Sequence, residues 1–490
     1  MRNLNVQYAL LLALLFIGCS DNSTNEPAVK DEYAAWKYIN AFAHGAMNKY
    51  YLWKNEIAKD LDTWDWEWSE PKSKVIKLRY KENSEETDRW TQLYENYSER
   101  TTNISTTYGF EYALYQLEAS KQALLITTLV YPGSPAEKAG LKRGSLIVAL
   151  NNEPITTSNY KQLKTLPSIE LFVQTSSNQK TLKLQATNMY EDPVVLDSIY
   201  RFEDKKVGYL VYTRFDVSSC EKLIDICKRF KQEGLNELIL DLRYNSGGTS
   251  VVHQLLASML APEQDVINGN IYLKRTYNED YTETLLKKGE ELEQRLQSKL
   301  EWSMNGKDYA YDVSDANIGL TKLYALVTKQ TASASEALLI GLKPYLDIEI
   351  IGETTSGKYC GGYNLSATDW YREQVDTYKK EGRDFYTEHP ELSDWESYVA
   401  DWGMYIIIDY FTDREGTKPN IGKGLLPDLE ATDTPFETYP LGDEREVMLR
   451  AALTRAGKTD MLSRTIKSRS MNDDFKLIEF SSEHNFVEIY

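Results

Sequence analysis

From about residue 191 onward, short apolar runs alternate with stretches of helical spacing, and this alternation constrains the fold more than any other feature. "VGYLVYT" precedes an amphipathic stretch through Cys220 and Phe230, "ELILDLR" precedes another from Val251 to Leu260, and "KLYALVT", "IEIIG" and "MYIIIDY" follow. Short buried strands separated by helices fold as a layered α/β core, because an apolar strand must be covered on both faces. Two stretches interrupt the alternation. "YTETLLKKGEELEQRLQSKLEW", near 280–302, has helical spacing, and an aromatic, acidic segment near 369–401 has no strong period. Both read as insertions at the edge of the core.

A chain of 490 residues has room for about three domains. With 74 acidic against 56 basic residues its net charge is -18, which favours solubility and repels polyanions, so nucleic acid is not an expected partner. Internal repeats are absent. The segment 31–103 reads as a small helical domain, since "AAWKYINAFAHGAMNKYYLW" is apolar at helical spacing. Within it "DTWDWEW" alternates Trp64, Trp66 and Trp68. A sugar-stacking platform is conceivable there, but aromatic packing on one face of an extended segment is the commoner use of such residues.

The first residues, "MRNLNVQYALLLALLFIGCS", carry Arg2, an apolar run from Ala9 to Ile17 and then Gly18 before Cys19. The run is shorter than the ~20 residues a membrane-spanning helix needs, and reads as an export signal over 1–18. "FIGC" resembles a bacterial lipobox, which implies lipidation of Cys19, with Phe16 where leucine is usual. Residues 19–30 lack apolar periodicity and read as a flexible tether. Of the other thiols, Cys220 and Cys227 fall on one helical face, roughly 10 Å apart at a rise of ~1.5 Å per residue, too far for a disulfide. Buried free thiols are expected. Zinc-ligand spacing is missing, and His44, His253, His389 and His484 form no HExxH pair, so neither a metal nor an organic cofactor is implied.

Residues 104–190 contain "YGFEYALYQ", "ALLITTLV" and "YPGSPAEKAGLKRGSLIVALNNEPI", which read as strand, turn, short helix ending at glycine, and strand. Order and wording resemble a bacterial PDZ domain, with Ser145 where aspartate is usual. The resemblance makes Tyr108, Gly109 and Phe110 the loop and edge strand that receive a peptide's terminal carboxylate. Free N–H groups beside a sheet edge suit that task.

"TASASE", Thr331 to Glu336, stands between a strand-like and a helix-like run, where helix capping is the ordinary use of serine. A Ser-His-Asp triad, whose members meet only in space, stays open. Another base is Lys358, which lies between glycines in "GETTSGKYCGGYN" and would ordinarily be a solvated charge. "DLRYNSGG", "TASASE", "GETTSGK" and "GKGLLPD", in that order behind a PDZ-like unit, resemble the carboxyl-terminal processing, or tail-specific, proteases over about residues 104–430. That family has a crotonase-like layered α/β core. The resemblance implies a serine endopeptidase with Ser333 as nucleophile, Lys358 as base, and the N–H groups of Ala334 and of Gly247 or Gly248 as oxyanion donors, Ser335 being left to helix capping. The core would run from 191 to 460 and a C-terminal extension from 461 to 490.

The chemistry is coherent on its own terms. A lysine takes a serine's proton only when uncharged, and at its usual pKa near 10.4 under about one in a thousand is neutral at pH 7, so a dry site is required. The family's glutamine four residues after the lysine is here Gly362, leaving open what orients Lys358. "SEPK" at Ser69 to Lys72 matches S-x-x-K by accident, since Pro71 interrupts it and no K-T-G follows. The expected protein is an envelope enzyme, lipid-anchored to a bacterial membrane and acting on protein or peptide tails with free C-termini. The alternatives are a peptide-binding lipoprotein of the same fold without catalysis, and a glycan binder using the tryptophans near position 64.

Overall fold

The structure, a computed structural model, describes residues 32–66, 69–97, 104–117, 122–174, 179–202, 205–304, 306–433, 439–458 and 475–481. Cys19, Trp68 and the leader and tether segments lie outside them. The chain opens with helix α1 (Glu32–Tyr50) and reaches a short strand β1 (Gln92–Tyr94). A sheet then forms from β2 (Phe110–Leu117), β3 (Ala123–Val130), β4 (Leu146–Leu150), β5 (Ser168–Gln174) and β6 (Gln179–Gln185). Their order is β6-β5-β4-β3-β2, and Leu125, Ile147, Leu171 and Leu184 fill the space beneath.

The alternation from residue 191 onward builds a central sheet as expected. Strands β7 (Val194–Phe202) and β8 (Lys205–Tyr212) pair antiparallel. From β8 the sheet continues in parallel through β9 (Glu237–Asp241), with helices α2 (Cys220–Gln232) and α3 (Ser250–Leu260) in the connections. A second sheet contains β10 (Ile271–Tyr277). The central sheet resumes with β11 (Lys322–Val327), helix α4 (Ala334–Leu342) and β12 (Asp347–Gly352), again parallel. Strands β13 (Cys360–Ser366) and β14 (Gly403–Thr412) belong to the second sheet and flank helix α5 (Ala367–Lys380). Strand β15 (Leu429–Glu430) closes the central sheet, helix α6 (Val447–Arg455) covers its far face, and β16 (Phe475–Phe480) ends the described chain. Apolar strands buried on both faces by helices and a second sheet make this the expected layered, crotonase-like α/β core.

Four features differ from expectation. The N-terminal segment is not a separate helical unit: β1 pairs with β14, and α1 shares one apolar cluster with α5 and Met404 to Ile408. The segment read as helical near 280–302 is helical only over Glu279–Lys287; Gly289 at φ 78 ends it, and Glu293–Arg295 and Lys299–Met304 are strands. The tryptophan stretch is no extended platform, because it follows a helical turn, Ala58–Asp62; Trp64 is buried against His44, while Trp66 is more exposed. Lastly, the C-terminal extension returns to the first sheet, where β16 pairs antiparallel with β2. Cys220, Cys227 and Cys360 are buried and form no disulfide, as expected, and burial pushes the first two thiols up to about 12.

Candidate active site

Ser333 sits at the hinge where the turn after β11 becomes helix α4. Its φ of 53 and ψ of -116 are rare for a residue with a side chain, and it is almost fully buried. Glu336, one helical turn on, fixes this bend. Its Oε2 accepts the Ser333 N–H at 3.0 Å, while its Oε1 accepts the Gly357 N–H at 2.7 Å and the Thr355 hydroxyl. The Ser356 N–H also donates to the Thr331 carbonyl at 2.9 Å. One buried carboxylate and one backbone bond therefore stitch the serine bend to the loop that presents Lys358. Burial pushes the Glu336 carboxyl up to about 7, against the pull of Thr355 and the loop N–H groups.

Lys358 has no solvent exposure, and its Nζ donates to the Tyr405 hydroxyl at 2.7 Å. The glycine-rich loop of "DLRYNSGG" faces the serine from the other side. A Cβ on Gly247 would lie 2.8 Å from Ser333 Cβ and 3.1 Å from the Ala334 N, so only glycine allows the two backbones so close. The Gly247 N–H donates to Asn245 Oδ1 at 2.9 Å, whereas the Gly248 and Ala334 N–H groups find no acceptor among the described residues. Ser335 does not cap the helix. It lies inside α4, and its hydroxyl donates to the Asn245 carbonyl at 3.0 Å, tying the helix to the glycine loop.

Ser333, Ala334 and Ala337 line a small cleft with Leu273, Gly361 and Phe411. His253 borders it too, but its ring nitrogens meet Ser250 Oγ at 3.3 Å and the Tyr272 hydroxyl at 3.1 Å, and burial lowers it to about 3. It is a neutral packing histidine with its hydrogen bonds made. Among the described residues no cluster of histidine, cysteine and acidic side chains could hold a metal, and no helix is long and apolar enough to cross a membrane.

The loop of Tyr108, Gly109 and Phe110 leads into β2. The Tyr108 hydroxyl donates to the Leu166 carbonyl at 2.6 Å, and Gly109, at φ 74, donates its N–H to Thr107 Oγ1 at 3.0 Å. Arg143 of this sheet's domain reaches the core, pairing with Asp433 beside Tyr244, the residue before the Asn245 loop. Arg243 completes that cluster with Asp241 and Glu446. Sequence reasoning missed Glu336 and Tyr405. The serine-x-x-glutamate spacing of a capping box could have pointed to the first; nothing local marks the second.

Two family models match where these sheets lie, Peptidase family S41 over residues 206–430 and the PDZ domain over 126–166. The chain is 26% identical over 244 residues, 49% of its length, to the "Probable CtpA-like serine protease" of Staphylococcus aureus (strain COL), covering 42% of that protein. It is 24% identical over 258 residues to the carboxy-terminal processing protease CtpA of Bacillus subtilis (strain 168), covering 47% of it. The matched region thus spans less than half the length of these curated relatives. In fold the chain is similar to a crystal structure from Bacteroides fragilis NCTC 9343 assigned to the S41 proteases, with a TM-score of 0.62 and 22% identity over 86% of this chain and 96% of that one. Residues 206–430 thus match peptidase family S41 and residues 126–166, ahead of them, match a PDZ domain, on a fold similar to that of the Bacteroides fragilis structure.

Proposed function

We propose that this protein is a serine endopeptidase that hydrolyses peptide bonds near protein C-termini, with Ser333 as nucleophile and Lys358 as general base. The observation that carries this reading is the Glu336 carboxylate, which holds the Ser333 N–H and the Gly357 N–H at once and so delivers hydroxyl and amine loops to one buried place. Lys358 Nζ takes the Ser333 proton as Oγ adds to the scissile carbonyl. The new oxyanion is met by the N–H groups of Ala334 and Gly248, with Gly247 shaping the turn; losing one such donor typically costs about 2.7–4 kcal/mol. The proton then passes to the departing amine. Water, activated by the same lysine, hydrolyses the acyl-enzyme and restores the hydroxyl. The cleft beside Ala337, Leu273 and Phe411, which Ser250, Arg275 and Gln294 also line, has room only for a small side chain next to the cleaved bond.

Substrate tails enter along β2, led by Tyr108, Gly109 and Phe110, and Cys19 carries the lipid that keeps the enzyme at a bacterial envelope membrane. Against a binding-only reading, Tyr405 stands beside the lysine where Gly362 leaves space. A serine-reactive probe should label Ser333, and Ser333→Ala and Lys358→Ala should each abolish cleavage of a fluorescent peptide with an apolar C-terminus while leaving its affinity nearly intact. Undiminished turnover in Lys358→Ala would exclude the lysine as base.

A further inference from the structure

Strand β13 begins directly after Lys358 and Tyr359 and carries Gly362, four residues beyond the lysine, and its pairing with β14 is irregular between Gly361 and Gly362. A Cβ on Gly362 would lie 2.6 Å from Tyr405 Cζ and 2.7 Å from its hydroxyl. The space a side chain at 362 would fill is therefore occupied by a ring from the neighbouring strand. That ring is 2% exposed and ends on the lysine amine at 2.7 Å. We infer that Tyr405 is the positioning residue of the base: its hydroxyl fixes Nζ of Lys358 for proton transfer from Ser333, and the glycine at 362 exists to admit it. This rests on the reading of Lys358 as base.

Tyr405→Phe removes only the oxygen and keeps the packing, and should lower kcat about 10- to 100-fold with KM and thermal midpoint unchanged. Gly362→Gln alone should be inactive, because its Cβ meets the ring. Gly362→Gln combined with Tyr405→Ala should exceed Tyr405→Ala alone by about tenfold, a rescue that loss of packing would not produce. Wild-type kcat in Tyr405→Phe beside an inactive Lys358→Ala would overturn the positioning role. Turnover in Lys358→Ala would instead overturn the base.

An independent observation concerns the tail-receiving edge. Strand β2 would be the free edge of the PDZ sheet, yet β16 pairs along it from Phe475 opposite Leu117 to Phe480 opposite Ala113. The ladder continues at Ser481, whose N–H donates to the Tyr112 carbonyl at 2.8 Å and whose Oγ accepts the Tyr112 N–H at 2.7 Å. The segment runs toward Gly109, the direction in which a bound tail would place its end. Glu479 accepts from the Tyr160 hydroxyl at 2.6 Å, and Lys329, four residues before Ser333, lies 5.6 Å from the Phe480 ring. We propose that residues 475–481 are an internal ligand of the PDZ edge, which an extended tail carrying an acidic residue between apolar ones must displace to be cleaved. This rests on tail recruitment along β2.

Cysteines at the paired positions, Ala113→Cys with Phe480→Cys, should lock the strand when oxidised, weaken binding of a fluorescent peptide of sequence FKLIEFS by tenfold or more, and recover on reduction. Leu477→Pro with Glu479→Pro should loosen it and raise kcat/KM for tail-bearing peptides about 3- to 10-fold. Equal peptide affinity in the locked, reduced and loosened proteins would overturn the internal ligand. Cleavage without measurable peptide binding in the wild type and in every variant would overturn recruitment along β2 itself.

Discussion

Glu336 shows how much of this site depends on one buried side chain whose two oxygens are taken up by protein donors. Its two oxygens accept from Ser333, Thr355 and Gly357, all buried. A glutamine would turn its NH2 toward one of these donors and leave a buried hydrogen bond unmade, at a cost of about 1–3 kcal/mol. Glu336→Gln is therefore expected to lower kcat about 5- to 100-fold with little change in KM, read by steady-state kinetics. The same residue predicts a pH trend. Burial raises its carboxyl from 4.5 to about 7, so the folded state holds a proton that the unfolded chain releases earlier. The stability this contributes is complete below about pH 4.5 and lost as pH rises through about 7. Thermal midpoints measured from pH 5 to 8 should fall more steeply in the wild type than in Glu336→Gln. The bends that carry Ser333 and Lys358 were legible because their residues are contiguous. Tyr405 was not, because "MYIIIDY" reads as plain buried strand and its reach to Lys358 depends on a register slip at Gly361.

At the scale of elements, the last turn of helix α4 packs unusually close to β10. A Cβ on Gly341 would lie 2.2 Å from Tyr272 Cε2. Replacing a glycine in the last turn of a helix by alanine gains at most about 1 kcal/mol, while overpacking a buried contact typically costs about 1–3 kcal/mol. With backbone and ring both fixed in the core, the second effect should win. Gly341→Ala is expected to lower the urea midpoint and to displace Tyr272 from His253, visible as a changed histidine environment by NMR. The strand-helix alternation of the core could be read directly, since each element announces itself within ten residues or so. The N-terminal segment could not, because what makes it part of the core is the pairing of β1 with β14, about 310 residues away in sequence.

Across the whole molecule, a buried ion cluster joins PDZ domain, central sheet and α6. Burial by itself would raise the carboxyls of Asp433 and Glu446, but Arg143 and Arg243 outweigh it and hold both below the usual carboxylate range. Their contribution is present above about pH 4 and lost as pH falls through the lowered values. Arg243→Met should destabilise by about 3–5 kcal/mol near neutral pH, because it strands buried carboxylates, and should flatten the acid limb of the urea-midpoint profile. The PDZ-like wording ahead of the strand-helix alternation was visible in the sequence. The closure of the PDZ sheet by the chain's last described strand was not, since nothing in "FKLIEF" names its partner.

That closure also has a timetable. Strands β2 and β16 are separated by nearly 360 residues, which a ribosome translating ~5–20 residues per second needs roughly 20–70 s to make. Throughout that interval a nascent PDZ sheet emerges with its β2 edge bare, open to any extended polypeptide nearby, and it acquires its cover only once residues 475–481 have been made.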